Sequence, residues 1–280
     1  MTTRTMKTLV LEDGGTIVYR KTAAPRKRLK KRAKEVIVLI HGLTSSISAW
    51  ESYERHFAKH YDTLAIDLRG HGMSFRPQHP EEYAISKFSE DIYRILRHEK
   101  VHNCVIVGHS FGTLIVLDFL RHHQGIVSKA VLVSAECAPS REKRARRIAP
   151  VLWASNVANL FPTLKREGGH VDYRPFVGTG DWNLHRLYTD IMNTGLKSYA
   201  NAMRQAYAYD ATATLPKIRV PVLLVHGEDD SIFPLAAAQR MARALPRAEL
   251  VVLPHTDHII VLNKTDQLIT AIDRFLRRSS

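Results

Sequence analysis

Apolar positions along the chain fall into short β-branched runs that alternate with stretches of helical periodicity. TLVLEDGGTIVYR (8–20) alternates apolar and polar residues on both sides of Asp13-Gly14-Gly15, a turn signal requiring positive φ, and predicts a hairpin. EVIVLIHG (35–42) is continuously apolar, the pattern of a strand buried on both faces. SAWESYERHFAKH then reads as a helix, DTLAIDLRG as a strand, and ISKFSEDIYRILRHEK as a longer amphipathic helix opening after Ser86. NCVIVGHS, GTLIVLDFLRHH and SKAVLVSAE continue as strand, helix, strand, and RVPVLLVHG, LAAAQRMARAL, AELVVLP and DQLITAIDRFLRR resume the rhythm. Buried strands alternating with helices predict an α/β fold, a mostly parallel central sheet with helices on both faces.

Residues 137–214 interrupt that rhythm. They are rich in helix formers, Trp, Tyr and Asn, are broken at Phe161-Pro162, Gly168-Gly169 and Gly178-Gly180, and show no strand of the main type. The expected organisation is a core from 1–136 and 215–280 with 137–214 inserted as a helical lid over the carboxyl edge of the sheet, where open α/β sheets bind ligands.

Composition changes this picture little. The chain has 280 residues and 45% hydrophobic content, enough for one large core or two modest ones. The segment MTTRTMKTLV lacks the apolar stretch of a secretory signal, and no window approaches the roughly 20 apolar residues needed to cross a bilayer. A cytoplasmic location is the expectation. Cys104 and Cys137 are too few for a disulfide framework and lack metal-site spacing, so no metal, cofactor or disulfide is expected.

Charge adds a hint about partners. The formal net charge is +14, and PRKRLKKRAK (25–34) alone holds seven basic residues and no acid. REKRARR (141–147) adds Arg141, Lys143, Arg144, Arg146 and Arg147 at the start of the expected lid. Such clusters attract anionic lipid headgroups or acidic proteins. Nucleic acid is not the expected partner, because no recognition module accompanies the charge.

Candidate chemistry centres on VIVGHSFGT (105–113), which sets Ser110 between Gly108 and Gly112 where a strand stops and a helix starts. Turning that sharply brings the flanking positions against the strand and helix, and glycine relieves the clash. The hydroxyl is lifted clear of the sheet near the positive end of the helix, a placement suited to a nucleophile. A serine nucleophile needs a base, and the base needs an orienting carboxylate. VLLVHGEDDSIFP (222–234) offers Asp229 and Asp230, with Glu228 weaker; Asp230 is chosen, and Glu136 after the strand AVLVSA is held in reserve. LPHTDHII offers His255 and His258, of which His258 is preferred. IHGLT (40–44) would supply the Leu43 N–H beside that of Phe111 as two donors for an oxyanion, with His41 bonding the loop.

These residues together resemble the α/β-hydrolase family over nearly the whole chain apart from the basic loop and the lid. HGLT looks like its oxyanion segment, DLRGHGMS (67–74) like its turn after the fourth strand, GHSFG like its nucleophile elbow, RVPVLLVHGEDDSIFP like its acid segment, and DHIIVLNKTDQLITAIDRFL like its histidine segment. The resemblance implies Ser110, Asp230 and His258 as a catalytic triad, with Leu43 and Phe111 as the oxyanion hole. It departs at Asp257, where many relatives carry glycine before the histidine. It implies ester or thioester hydrolysis through an acyl-serine intermediate, because relatives that open epoxides or remove halides use aspartate as nucleophile. Some relatives act on acyl carrier protein, which would suit the 141–147 cluster as well as an anionic membrane would. Others hydrolyse carbon–carbon bonds in diketones, and a non-catalytic ligand receptor on the same fold is a further alternative. Trp153, Phe161, Trp182, Leu187, Tyr188, Tyr199 and Tyr207 are the candidate pocket residues, an apolar lining suited to an acyl chain or small aromatic ester.

Overall fold

The computed structural model describes residues 3–25, 35–139, 155–157, 159 and 169–278. The hairpin forms as its alternation predicts: β1 (Thr3–Val10) and β2 (Thr16–Ala23) pair antiparallel in continuous register from Thr3 opposite Ala23 to Val10 opposite Thr16. Gly14 takes φ 81° in the turn, the region only glycine enters freely.

β3 (Val36–Ile40), β4 (Asp62–Ile66), β5 (Cys104–His109), β6 (Val127–Val133), β7 (Val222–Gly227) and β8 (Ala248–Leu253) complete one eight-stranded sheet in the order β1-β2-β4-β3-β5-β6-β7-β8. β2 joins β4 antiparallel, and every pair from β4 to β8 is parallel.

The continuous apolar runs are explained by burial on both faces. Val38 and Ile40 of β3 join Phe88, Ile92, Leu114 and Phe119 beneath α2 (Ile85–His98) and α3 (Phe111–His123). Ile37 and Leu39 point the other way, into a cluster with Trp50, Tyr53 and Phe57 around α1 (Glu51–Phe57) and Ile272 and Phe275 of the helix Thr265–Arg277. Each such side chain removed from water contributes about 1.5–3 kcal/mol, so both faces hold the sheet.

Two boundaries differ from the pattern. The stretch beginning at Ser48 opens as a 3-10 turn (Ile47–Trp50) before α1, and α2 starts at Ile85, ahead of Ser86, following the turn Pro80–Tyr83. Between β6 and β7 the chain forms the helices Leu184–Thr194 and Leu196–Ala208, and the described residues of 137–214 contain no strand. None of the described helices is long and apolar enough to cross a membrane.

Candidate active site

The turn between β5 and α3 is strained as the two glycines foretell. Ser110 has φ 50° and ψ −114°, a conformation non-glycine residues rarely adopt, and its backbone is pinned on both sides. Its N–H donates to Val133 O of β6 at 2.9 Å, and its carbonyl accepts the Thr113 N–H at 2.8 Å and Oγ1–H at 2.6 Å. A Cβ on Gly108 would sit 2.6 Å from Gly112 O, and one on Gly112 would sit 2.7 Å from Ile40 O and His41 O. The kink therefore packs backbone against backbone.

Two further strand ends bring Asp230 and His258 to Ser110. Asp230 follows β7 and is buried, with Oδ1 accepting the N–H groups of Ile232 at 2.9 Å and Phe233 at 2.8 Å. Its Oδ2 faces His258 Nδ1 at 2.8 Å, and His258 Nε2 lies 2.7 Å from Ser110 Oγ. With Nδ1–H donating to Asp230, Nε2 is left to accept the serine hydroxyl. Burial pushes the Asp230 carboxyl up, but the His258 imidazole and the Phe233 N–H outweigh it and hold the carboxyl below its ordinary range.

Gly227 makes this meeting feasible. A Cβ there would fall 2.3 Å from Thr256 O and 2.4 Å from Asp257 O, so only glycine lets the acid and histidine loops touch. The Asp229 N–H then donates to Thr256 O at 2.9 Å.

The other candidates are held elsewhere. Glu136 turns to the N–H groups of Cys137 and Ala138, at 2.8 and 3.1 Å, and to Arg240. Asp229 and His255 are exposed at their turns. Asp257 is half-buried; it accepts the Ile259 N–H at 3.1 Å and bonds the Asn263 amide, bracing the short helical turn Ile260–Asn263.

Leu43 and Phe111 flank Ser110 along one cavity, and neither backbone N–H has a protein acceptor among the described residues. The Leu43 loop is held by His41, whose Nδ1–H donates to Gly42 O at 2.8 Å while Nε2 accepts the Leu68 N–H at 3.2 Å. Burial keeps His41 below its ordinary pKa, hence neutral, as that pair of bonds requires. His41 thus bonds the loop, as expected.

The cavity encloses about 280 Å³. Trp182, Leu187, Tyr199 and Tyr207 line it together with Met203 and Ile232, which the sequence reading did not single out. Trp182 sits at the rim, 65% exposed, its Nε1–H donating to Ser231 Oγ at 2.9 Å. Tyr188 corrects the expectation: it is 65% exposed and absent from the lining, because its helix turns Arg186, Leu187 and Asp190 inward and leaves 188 on the outer face. Trp153, Phe161, the 26–34 loop and Arg141, Lys143, Arg144, Arg146 and Arg147 lie outside the described residues.

A family model described as alpha/beta hydrolase fold matches residues 35–265. The chain belongs to the α/β-hydrolase fold family. The hydrolase is 27% identical over 252 residues to a pimeloyl-[acyl-carrier protein] methyl ester esterase of Nitrosospira multiformis, covering 86% of this chain and 94% of that one. It is 25% identical over 253 residues to a Haemophilus influenzae protein bearing an esterase/lipase name, covering 87% and 84%. Among solved structures, a hydrolase from Pseudomonas aeruginosa superposes with a TM-score of 0.77 at 20% identity, covering 98% of each chain, a likeness of fold.

Several residues of the hydrolase site carried no sequence signal. The His258 carbonyl accepts Ser134 Oγ–H at 2.8 Å and the His109 Nε2–H at 3.1 Å. Burial pushes His109 down to about 3, so it is a neutral donor. The His258 N–H donates to Asp181 Oδ1 at 2.9 Å, and Asp181 Oδ2 accepts Ser231 N–H and Oγ–H at 3.1 and 2.7 Å. Asp181, from the segment between β6 and β7, thereby couples the Asp230 loop to the His258 loop. Arg186, Asp190 and Tyr173 form a buried polar group on the same cavity wall. Each is an ordinary residue type until the fold gathers it.

Proposed function

We propose that the hydrolase cleaves carboxylic esters, or thioesters, of acyl-chain or small aromatic acids through an acyl-serine intermediate. One observation carries the reading: a hydroxyl on a positive-φ turn lies 2.7 Å from an imidazole nitrogen whose other nitrogen faces a buried carboxylate at 2.8 Å. In this reading Ser110 Oγ attacks the ester carbonyl as His258 Nε2 takes its proton. The Leu43 and Phe111 N–H groups receive the oxyanion, and Asp230 stabilises the imidazolium. Collapse of the tetrahedral species breaks the ester bond, and His258 returns the proton to the leaving alcohol or thiol. Water, deprotonated by His258, then attacks the acyl-serine and releases the acid and the free hydroxyl.

In the same reading 137–214 serves as a helical lid on a core of 1–136 and 215–280, Trp182, Tyr199 and Tyr207 cover the acyl group, and the enzyme works in the cytoplasm without a cofactor. p-Nitrophenyl esters of increasing chain length test it. Turnover by the wild type with a loss in kcat of at least about 10⁴-fold in Ser110→Ala supports the proposal, and equal turnover by both refutes it.

A second reading, an acyl chain delivered on acyl carrier protein, is favoured by the relative from Nitrosospira multiformis, whose name specifies such a substrate. It assigns docking to Arg141, Lys143, Arg144, Arg146 and Arg147. Charge reversal at Arg144 and Arg147 should then slow hydrolysis of a carrier-borne ester and spare a free methyl ester.

A further inference from the structure

Thr44 is held in a conformation that its side chain disfavours. It takes φ 65°, and among the described non-glycine residues with positive φ it is the one with a β-branched side chain, which crowds its own backbone there. It stands third in the turn Gly42-Leu43-Thr44-Ser45, closed by the Ser45 N–H on Gly42 O at 3.2 Å, a place that glycine or asparagine fills without strain. Strain of this kind persists only where surrounding bonds impose it.

The bonds that impose it reach in from the segment between β6 and β7. Thr44 O accepts the Thr194 hydroxyl at 3.1 Å across 150 residues of sequence, while Thr44 Oγ1–H donates to Leu43 O at 2.6 Å within the turn. Thr194 is fully buried and is the last residue of the helix Leu184–Thr194. Arg76 fastens that helix end to the core, with Nε donating to Thr194 O at 3.1 Å and Nη2 to Asn193 O at 2.8 Å. One residue further along the turn, Ser45 Oγ lies 3.2 Å from the Tyr173 hydroxyl.

The carbonyl held by Thr194 is one residue beyond a candidate oxyanion donor. Leu43 and Thr44 line the cavity with Ser110, and the Leu43 N–H has no protein acceptor among the described residues. Returning Thr44 to negative φ would relieve its strain, turn the Leu43–Thr44 peptide over and shift Leu43 with it. Stabilising an oxyanion depends on donors fixed in advance, so such a shift weakens the transition state more than the bound substrate. We propose that Thr194 is a positioning residue: its hydroxyl holds Thr44 at positive φ and so aims the Leu43 N–H at the oxyanion formed on Ser110. The oxyanion hole is then complete only while the helix Leu184–Thr194 is seated on the turn. This deepens the ester-hydrolase reading and rests on it.

The test compares two ligands of one chain length, an alkyl trifluoromethyl ketone and the matching trifluoromethyl carbinol. Ser110 Oγ adds to the ketone carbonyl as its proton passes to His258 Nε2, leaving an oxyanion on the adduct; the carbinol fills the same cavity and forms none. Wild type should bind the ketone at least about 100-fold more tightly than the carbinol. Thr194→Val, which keeps the shape and removes the hydroxyl, should weaken ketone binding about tenfold and carbinol binding less than about twofold, and should lower kcat about tenfold with KM within about threefold. Carbinol binding also reports a folded cavity. Thr194→Ser should keep the wild-type ratio. In a Thr44→Gly background, where positive φ costs nothing, Thr194→Val should weaken ketone binding less than about threefold. A ketone preference untouched by Thr194→Val, an equal loss for the carbinol, or an equal effect in the Thr44→Gly background overturns the inference alone. Wild type that binds ketone and carbinol alike overturns the ester-hydrolase reading and the inference with it.

Discussion

The carboxylate of Asp181 accepts the backbone N–H of His258 at 2.9 Å across 77 residues of sequence. With Ser134 and His109 on the adjoining carbonyl, it fixes the peptide from which the imidazole projects. An imidazole misplaced by about 1 Å can lose roughly 10²-fold in rate. Asp181→Ala should therefore lower kcat about 10- to 100-fold while KM for a small ester moves less than about threefold. Steady-state kinetics on protein of confirmed Tm read this directly. A variant with kcat unchanged would reduce Asp181 to a buried structural brace.

Asp230 and Glu136 compete on sequence grounds and part in the structure. Only Asp230 reaches His258 Nδ1, at 2.8 Å, whereas Glu136 caps the N–H groups of Cys137 and Ala138. Asp230→Asn should cost about 10⁴-fold in kcat and Glu136→Gln less than about threefold. The reverse order would move the acid to the end of β6.

The elbow glycines should prove intolerant of a single methyl group. In Gly112→Ala the new Cβ would lie 2.7 Å from two carbonyl oxygens, so a main chain must move. A loss of about 3 kcal/mol or more in urea denaturation is expected. Gly125→Ala is the control, since its Cβ would meet nothing within 4 Å, and it should stay within about 0.5 kcal/mol of wild type.

Much of this was legible in the chain. Alternation fixed the β1–β2 hairpin, the continuous runs identified strands buried on both faces, and glycines at 108 and 112 marked the kink because only close backbone approach requires them there. Gly227 carries no such mark: it is the contact between two loops 29 residues apart, a tertiary fact with no local signature. Asp181, Arg186 and Tyr173 escaped notice for the same reason: a lone polar residue in a helical segment announces nothing until burial and partners are known. Tyr188 departs from the expectation because aromatic content alone does not say which face of a helix turns inward.

Glu99 predicts how stability depends on pH. It closes α2 against the hairpin, accepting Lys7 and Lys21 Nζ–H at 2.7 Å each and the Tyr19 hydroxyl at 2.6 Å. Burial pushes its carboxyl up, but these three bonds outweigh it and hold the pKa at about 2 against an ordinary 4.5. Because the folded value lies below the unfolded one, the stabilisation is complete above 4.5 and fades as pH falls toward 2. Both lysines are partly exposed, so the contribution is discounted for screening to about 2 kcal/mol. Glu99→Gln should lose that at pH 7 and nothing near pH 2, as read by urea titration across the range. A pH-independent loss would assign the effect to packing.

The proposed chemistry requires Ser110 Oγ to be an activated nucleophile. Incubation with a fluorophosphonate, followed by peptide mass spectrometry, reads that reactivity. The expected result is one phosphonyl adduct on the peptide carrying Ser110, lost in Ser110→Ala and strongly slowed in His258→Ala. An unmodified Ser110 under conditions that label other serine hydrolases, or labelling indifferent to His258, would contradict it.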